Sequence, residues 1–161
     1  MSEESTAVIA ALTQLGAPFR LFQHEGPLRS LAQAAAERDQ RPEQVVRSLL
    51  FRLNQGEYVM VLAAGPGQLS WRRLRGYFGQ SRLTMASRAE VLQVTGYELG
   101  AVAPFGLPGA VPIYLDQSVL AETEISLGSG RRGLALIMRV SDLVSALGEP
   151  PVVDFIEKDD V

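Results

Sequence analysis

The segment TGYELGAVAPFGLPGAVPIYLD, residues 95–116, limits what this chain can fold into more than any other part of it. Glycine gives the backbone access to positive φ and to close approach, whereas proline fixes φ and lacks an N–H donor. The segment contains four glycines and three prolines, namely Gly96, Gly100, Gly106, Gly109, Pro104, Pro108 and Pro112. Most of it can therefore be neither a regular helix nor an interior strand. It is either a plain connector or a surface on which backbone amides meet a ligand.

The sequence on both sides of this segment is patterned as helices and strands. Apolar spacing and start signals predict helices at residues 5–16, 30–40, 41–51, 68–79, 87–96 and 141–148. The expected N-caps are Ser5, Ser30, Ser87 and Ser141, and Pro42 is expected in the first turn of the third helix. That helix is expected to pass into a strand at 48–53. Further strands are predicted at 18–24, 57–65, 82–86, 111–116, 124–128 and 131–140.

The order of these elements predicts a single α/β (α+β) domain. Helices and strands are interspersed without a repeat or a linker, and 161 residues are enough for one core. A mixed sheet packed with helices is the expected architecture. The domain is expected to span 1–148. The remaining stretch, 149–161, is rich in proline and acidic residues and is predicted to be a loosely held tail.

The residue types that are missing exclude several kinds of site. With no cysteine and a single histidine, His24, the sequence lacks a thiol nucleophile, a thiolate zinc site and a paired-histidine metal motif. It also lacks a G-x-S-x-G elbow and a G-x-x-x-x-G-K-[ST] phosphate loop. We therefore expect no metal and no cofactor. An enzyme built on this chain would not use a conventional nucleophile.

Charge and hydropathy bear on location and partners. The absence of cysteine, of a basic N-terminal signal region and of an apolar run near ~20 residues favours the cytoplasm and no membrane partner. The net charge of −3 and the pI of about 5.2 give no overall field that attracts nucleic acid. No DNA partner is expected, and an RNA partner would need a local basic patch.

Three motifs, in order along the chain, resemble those of the YbaK family of aminoacyl-tRNA editing domains, which is also found inserted in bacterial prolyl-tRNA synthetases. TGYELGAVAPFG, followed by PIYLD, resembles the family pattern Thr-Gly-Tyr-x-x-Gly-x-x-x-Pro-x-Gly. GSGRRGLALIM is similar to its second motif, a small-residue turn before Lys/Arg-Arg-Gly, and PEQVVRSLLF takes the place of Val-x-Lys-Thr-Leu. The resemblance covers nearly all of the chain. It implies a mixed, barrel-like sheet surrounded by helices.

The resemblance also implies an activity, which is hydrolysis in trans of the ester between a wrong amino acid and the terminal adenosine of tRNA. It makes Arg47 and Gly100 the expected catalytic residues. The expected substrate-binding residues are Phe22, Leu31, Ala101, Val102, Ala103, Pro104, Phe105, Gly128, Ser129 and Gly130. Backbone N–H groups of the Gly-x-x-x-Pro loop would stabilise the charge on the carbonyl oxygen, while water attacks and the ribose 2′-OH assists proton transfer. Mischarged tRNA and an aminoacyl-tRNA synthetase are the candidate partners.

Three positions depart from the family pattern. Arg47 replaces a lysine, Gly128 stands where many members have serine, and Ala135 replaces an acidic residue. A guanidinium is planar and stays protonated, so Arg47 can hold phosphate or ribose but is not a compact point charge. The departures leave a second hypothesis open, a catalytically degenerate YbaK-like module that binds a nucleotide, tRNA or a partner protein.

Several other side chains have two interpretations. Four arginines are either a solvated surface or contacts to tRNA phosphates, namely Arg72, Arg73, Arg75 and Arg131. Phe22 and Leu31 are either pocket or ordinary core residues. Trp71 and Phe78 are expected in the core rather than as stacking platforms, and His24 is expected to be structural.

Overall fold

A computed structural model describes residues 6–158, apart from the side chain of Gln55. In this part of the chain the α-helices are α1 Ala7–Leu15, α2 Leu31–Glu37, α3 Trp71–Phe78, α4 Arg88–Thr95, α5 Gln117–Leu120 and α6 Val140–Ala146. The strands are β1 Arg20–Gln23, β2 Val46–Arg52, β3 Tyr58–Ala64, β4 Thr84–Met85, β5 Ile113–Asp116, β6 Glu124–Gly128, β7 Leu134–Arg139 and β8 Val152–Val153. None of the described helices is long and apolar enough to cross a bilayer.

The helix starts follow the predicted caps in part. The Ser30 hydroxyl accepts from the Gln33 N–H, and Ser87 forms a capping box with Glu90, as predicted. Ser5 lies outside the described residues. The predicted cap at Ser141 is wrong, because α6 begins one residue earlier, directly at the end of β7.

The strands form two sheets. The first is antiparallel, with strand order β1-β7-β6. The second has the order β4-β2-β3-β5-β8, in which β5 and β8 are parallel to their neighbours, so a mixed sheet is confirmed. An isolated bridge between Val45 and Ser126 brings β2 next to β6. The sheets do not close into a barrel, since β1, β4 and β8 each pair on one side only, and the barrel-like expectation is corrected here.

The helix predicted over 41–51 is wrong, whereas the strand expected at 48–53 is confirmed for residues 48–52. Only Pro42–Gln44 forms a helical turn, of the 3-10 type, and the chain then enters β2. All seven residues of β2 pair with β3. A ladder of this length, together with side chains buried on both faces, outweighs the local helical preference of the segment.

The five-stranded sheet is covered on both faces because alternate residues of its strands enter two different cores. Val46 and Leu50 of β2 belong to the larger core, which also includes residues of β6, β7 and α1. Phe51 of β2 belongs to a smaller core, completed by Leu74 of α3 and Phe155 near the C-terminus. The two faces of β2 therefore present their side chains to different surroundings.

The C-terminal segment is part of the fold. Val152–Val153 extends the sheet beside β5, and Phe155 is 2 % exposed. The Phe155 N–H donates to the Asp116 carboxylate at 2.7 Å, and the Phe155 carbonyl accepts from the Ser70 N–H at 2.7 Å. The prediction of a loosely held tail is therefore wrong for its described part, 149–158, because a buried aromatic ring and backbone hydrogen bonds fix it.

Candidate functional site

The 100–105 loop and the 128–130 turn, both predicted to bind substrate, lie against each other. The Gly130 N–H donates to the Ala101 carbonyl at 2.9 Å. A Cβ atom at Gly128 would lie 2.2 Å from the Val102 carbonyl oxygen, closer than any side chain allows. Glycine at 128 is thus what permits the loop to approach this closely. The structure brings these predicted positions into one surface.

The Thr-Gly-Tyr sequence holds the loop in place. The Tyr97 hydroxyl donates to the Phe105 carbonyl at 2.5 Å. The Tyr97 N–H donates to the Thr95 hydroxyl, which in turn donates to the Val91 carbonyl of α4. Tyr97 is 6 % exposed, and its burial raises the pKa of its hydroxyl. The loop is therefore fixed to the end of α4 through one tyrosine.

The same loop carries backbone donors without protein acceptors. Within residues 6–158, the N–H groups of Gly100, Val102 and Ala103 donate no hydrogen bond. Gly100 is exposed and has a φ of +91°, whereas Ala103 is fully buried. Buried backbone donors are nearly always paired in folded proteins, so such a group needs a partner from outside the described chain. Successive free donors of this kind can hold an anionic oxygen.

The turn at 128–130 is held by side chains that have no donor to spare. The Thr6 hydroxyl donates to the Ser129 carbonyl at 2.6 Å, which joins the start of α1 to the turn. The Ser129 hydroxyl donates to the Leu134 carbonyl at 2.5 Å and accepts from the Arg131 N–H at 3.3 Å. Ser129 is fully buried. Its hydroxyl supports the turn, so the predicted contact with substrate would have to come from the backbone atoms of Ser129.

Three of the positions considered in the sequence form a row across the three-stranded sheet. Phe22 of β1 pairs with Ala135 of β7, which pairs with Gly128 of β6. Directly paired residues share one face of a sheet. Ala135 is 1 % exposed, so an acidic side chain at this position would be desolvated. Leu31 is partly buried at the first position of α2.

Arg47 lies apart from this surface. Val46 and Leu50 face the larger core, which includes Ala103 and Phe105, whereas the Arg47 side chain shares a cavity with Leu49 and Phe51 on the opposite face of β2. Its Nη2 donates to the Gly67 carbonyl, while its Nε is buried without a partner in the described chain. Burial lowers the pKa of Arg47, and the Asp116 carboxylate opposes this shift. The structure does not bring the guanidinium together with the 100–105 loop.

Ser48 is a candidate that the sequence analysis missed. Strand alternation puts it on the face of Val46 and Leu50, toward the core that contains the 100–105 loop residues. Its hydroxyl oxygen is buried and has no hydrogen-bond partner in the described chain. The available signal was its place at the start of the strand expected at 48–53, but the helix predicted over 41–51 hid which face of β2 this residue occupies.

The arginines predicted to contact tRNA fall into two places. Arg72, Arg73 and Arg75 are on α3, where Arg73 pairs with Asp154 at 3.0 Å. Arg131 follows the 128–130 turn and donates to the Gln23 side chain at 3.0 Å. The expectation that Trp71 is a core residue is wrong, because its side chain is 40 % exposed at the first position of α3. Phe78 packs against the smaller core, as expected.

His24 is hydrogen-bonded to two charged residues, Glu37 in the last turn of α2 and Arg38 directly after it. Its Nε2 is 2.9 Å from the Arg38 Nε, and because arginine only donates, Nε2 must accept. The neutral ring therefore carries its proton on Nδ1 and donates it to Glu37 at 2.7 Å. Arg38 also donates to the Ser126 hydroxyl of β6. Both ring nitrogens are engaged, which agrees with the expected structural role. Residues 6–158 contain no cluster of acidic and histidine side chains that could hold a metal ion.

Comparison with known proteins gives this arrangement a family context. Residues 25–146 match the family model described as "Aminoacyl-tRNA editing domain". The segment resembles the proline–tRNA ligase of Kosmotoga olearia, with 35% identity over 92 residues, which is 57% of this chain and 16% of the ligase. It also resembles the uncharacterized protein YwhH of Bacillus subtilis, with 32% identity over 99 residues, 62% of each chain. The chain thus matches less than two thirds of the length of these relatives.

A solved structure has the same fold over almost the whole chain. It is described as a "putative trans-editing enzyme for prolyl tRNA synthetase" and superimposes with a TM-score of 0.87 at 25% sequence identity. The match covers 98% of this chain and 99% of the other. The mixed α/β architecture is therefore shared along the full length of both proteins.

Proposed function

The chain belongs to the aminoacyl-tRNA editing domain family, and on that premise we propose that it hydrolyses, in trans, the ester bond of mischarged tRNA. The observation that carries the proposal is the set of unpartnered N–H groups at Gly100, Val102 and Ala103, within the described chain. The family and the relatives named for proline–tRNA ligase support editing as the general activity.

In the proposed reaction, the oxygen of a water molecule forms a new bond to the ester carbonyl carbon. The carbonyl oxygen takes up negative charge, and the N–H groups of the 100–105 loop donate to it, which lowers the barrier. The bond from carbon to the ribose oxygen then breaks. The proton lost by the water reaches the leaving ribose oxygen with the help of the neighbouring 2′-OH. The products are a free amino acid and uncharged tRNA.

The side chains near the loop support a mechanism that relies on the substrate for proton transfer. His24 has both nitrogens in hydrogen bonds, and Ser129 uses its hydroxyl to hold the turn. Ala135 offers no carboxylate in the row with Phe22 and Gly128. We assign to the buried Ser48 hydroxyl a hydrogen bond to the substrate, since it has no partner of its own in residues 6–158.

The predicted role of Arg47 is kept as a proposal in a narrower form. Because its guanidinium lies on the other face of β2, we assign it to binding the tRNA and not to contact with the ester. The partners that follow are mischarged tRNA and the synthetase that charges it, and the location that follows is the cytoplasm. Alanyl-, cysteinyl- and seryl-tRNA are all candidate substrates. A difference of one methylene in the amino acid changes selectivity by only about 1–3 kcal/mol, which is too little to confine the domain to one of them.

The proposal is tested by deacylation time courses on alanyl-, cysteinyl-, seryl- and threonyl-tRNA with the wild type and Gly100→Ala. Alanine at a φ of +91° is strained, so the loop donors shift, and we expect the rate to fall about 10²-fold. A Cβ at 100 meets only Arg132 Nε, at 3.9 Å, so steric clash does not confuse the result.

Gly148→Ala is the matched control. Gly148 also has a positive φ, of +73°, and nothing lies within 4 Å of an added Cβ. This variant carries similar backbone strain far along the chain, after α6, and should hydrolyse like the wild type. Equal rates for the two variants would remove the loop from the mechanism. A wild type that leaves all four tRNAs intact would contradict the proposal and favour the binding-module hypothesis.

A further inference from the structure

A cavity of about 540 Å³ lies between α3, β2 and the C-terminal segment, on the face of β2 away from the 100–105 loop. We name it the α3 cavity. Its lining residues used below are Arg47, Trp71, Arg72 and Glu157. Its volume is within the range of about 300–1,000 Å³ that small-molecule sites occupy. The backbone N–H of Glu157 donates to the Gln68 carbonyl at 2.7 Å, so the wall formed by the C-terminal segment is fixed.

Arg47 supplies the first sign that this cavity takes an anion. Its Nη2 donates to the Gly67 carbonyl, but its Nε is buried and has no partner within residues 6–158. No carboxylate of the described chain lies within salt-bridge distance of its guanidinium. An unsatisfied buried donor costs about 1–3 kcal/mol, more when the group is charged. An anion that enters the cavity would remove this cost.

The remaining charges of the lining favour an anion as well. Arg72 makes no ion pair with any described residue, in contrast to its neighbour Arg73, which pairs with Asp154. Among the lining side chains, two guanidinium groups outweigh one carboxylate, that of Glu157, by one positive charge; the Asp116 carboxylate also acts on Arg47 but is not part of the lining. The whole chain has a net charge of −3. The α3 cavity is therefore a local positive site on an acidic protein.

Trp71 supplies an aromatic surface beside these charges. Its side chain is 40 % exposed although it lines the cavity, and it meets the Phe51 ring edge-on, at a centroid distance of 5.7 Å. An exposed indole next to arginine is the combination that holds a nucleobase together with its phosphate. Stacking of a base on an aromatic side chain contributes about 1–3 kcal/mol.

We propose that the α3 cavity binds a nucleotide, with the base against Trp71 and the phosphate at Arg47 and Arg72. The ligand is a free mononucleotide, which is distinct from the tRNA already assigned to Arg47, and binding of an RNA end alone is an outcome that the test separates. The inference goes beyond the proposed function, because binding here requires no ester and no hydrolysis. Glu157 belongs to the C-terminal segment, which lies after residue 146, where the family match ends.

The test uses the fluorescence of Trp71, which is the only tryptophan in the sequence. The full chain is titrated with adenosine and cytidine monophosphates, with a short single-stranded RNA ending in CCA, and with inorganic phosphate. We expect a saturable change in fluorescence with at least one mononucleotide. A response to both the mononucleotide and the RNA supports a site that recognises a base with its phosphate, whereas a response to the RNA alone would leave only the tRNA binding already proposed for Arg47 and would contradict a mononucleotide site.

Variants distinguish binding in the α3 cavity from nonspecific attraction of the nucleotide to positive charge. Arg47→Ala and Arg72→Ala should each raise the dissociation constant at least about 10-fold, as expected for loss of a charge-assisted hydrogen bond, and Arg47→Lys should recover part of the affinity. Arg139→Ala removes the same charge from an exposed position at the end of β7, in the other sheet, and should bind like the wild type. Circular dichroism of each variant checks that it is folded.

Two results would overturn the proposal. One is the absence of a saturable change with every mononucleotide, whether or not the RNA gives one. The other is inorganic phosphate binding as tightly as the nucleotides, which would leave no role for Trp71. Because the titration contains no aminoacyl ester, a failure here is distinct from a failure of the deacylation assay, and either result can occur without the other.

Discussion

Two residues set the position of the 100–105 loop: Gly128 leaves room for the Val102 carbonyl, and Tyr97 binds the Phe105 carbonyl. The lack of a side chain at Gly128 lets the Val102 carbonyl approach β6, and the Tyr97 hydroxyl donates to the Phe105 carbonyl. Between these two points lie the backbone donors of Val102 and Ala103, which have no acceptor in the described chain. A loop fixed at both ends can keep its donors aimed without reorganisation, which is the condition for stabilising a transition state.

Removal of the tyrosine hydroxyl tests this arrangement. Tyr97→Phe leaves the Phe105 carbonyl without its donor, so we expect the free energy of unfolding to fall by about 1–3 kcal/mol and deacylation to slow. Urea unfolding and the tRNA time course measure the two effects. Tyr77→Phe is the control, because the Tyr77 side chain is 52 % exposed and its hydroxyl makes no hydrogen bond to residues 6–158. Equal losses in the two variants would show that the Tyr97 hydroxyl does not hold the loop.

Among the elements, β2 and the C-terminal segment decide where the two candidate sites lie. Because β2 is a strand, Ser48 and Arg47 point to opposite faces, one toward the loop and the other into the α3 cavity. The C-terminal segment closes that cavity through Glu157 and anchors itself by Phe155 in the smaller core. Both sites therefore depend on one strand, and the second also depends on the chain end.

Truncation of the anchoring side chain tests the role of this segment. Phe155→Ala empties a fully buried position, so we expect a loss of about 3–5 kcal/mol in the free energy of unfolding. Val152→Ala, in the same segment, should cost less than about 0.5 kcal/mol, since its side chain is 53 % exposed. Chemical denaturation of both variants measures the difference. A loss at Phe155→Ala as small as that at Val152→Ala would show that the C-terminal segment is a loosely held tail.

At the scale of the whole molecule, a partly buried polar network ties the helix α2 to strands β1 and β6. His24, which follows β1, donates to Glu37 and accepts from Arg38, and Arg38 reaches the Ser126 hydroxyl on β6. The hydrogen bond from His24 lowers the pKa of Glu37, with a smaller contribution from Gln33. The network therefore links charge at the surface of α2 to the position of the three-stranded sheet.

This network makes stability depend on pH in a known direction. A carboxyl group whose pKa is lowered by folding stabilises the fold above its unfolded pKa, about 4.3 for glutamate, and loses that contribution as the pH falls through the folded value. We expect Glu37→Gln to remove part of the decline in melting temperature below about pH 4.3. Glu25→Gln is the control, since Glu25 is exposed and makes no salt bridge among the described residues. Parallel declines in the wild type and Glu37→Gln would contradict this account.

Local signals were enough for most of the elements, and the resemblance to the family motifs was enough to group the loop with the turn. Capping by Ser30 and Ser87, the strand pattern of β3 and β7, and the motifs at 95–106 and 128–138 could all be found from neighbouring residues. The start of β2 at Val46, inside the predicted helix, and the structure of the C-terminal segment could not. Their structure depends on partners far along the chain, namely β3 for β2 and β5 and Asp116 for the last residues.

The sequence by itself determined the family, the mixed α/β class and the glycine positions of the loop, because each of these follows from short-range chemistry and ordered motifs. Only the tertiary structure decided that Ser48 lies on the larger-core side of β2 while Arg47 and Trp71 share a cavity on the other side. The physical reason is the strand period. In a helix, two neighbouring side chains do not point to opposite faces. In the strand β2, which pairs with β3, they do.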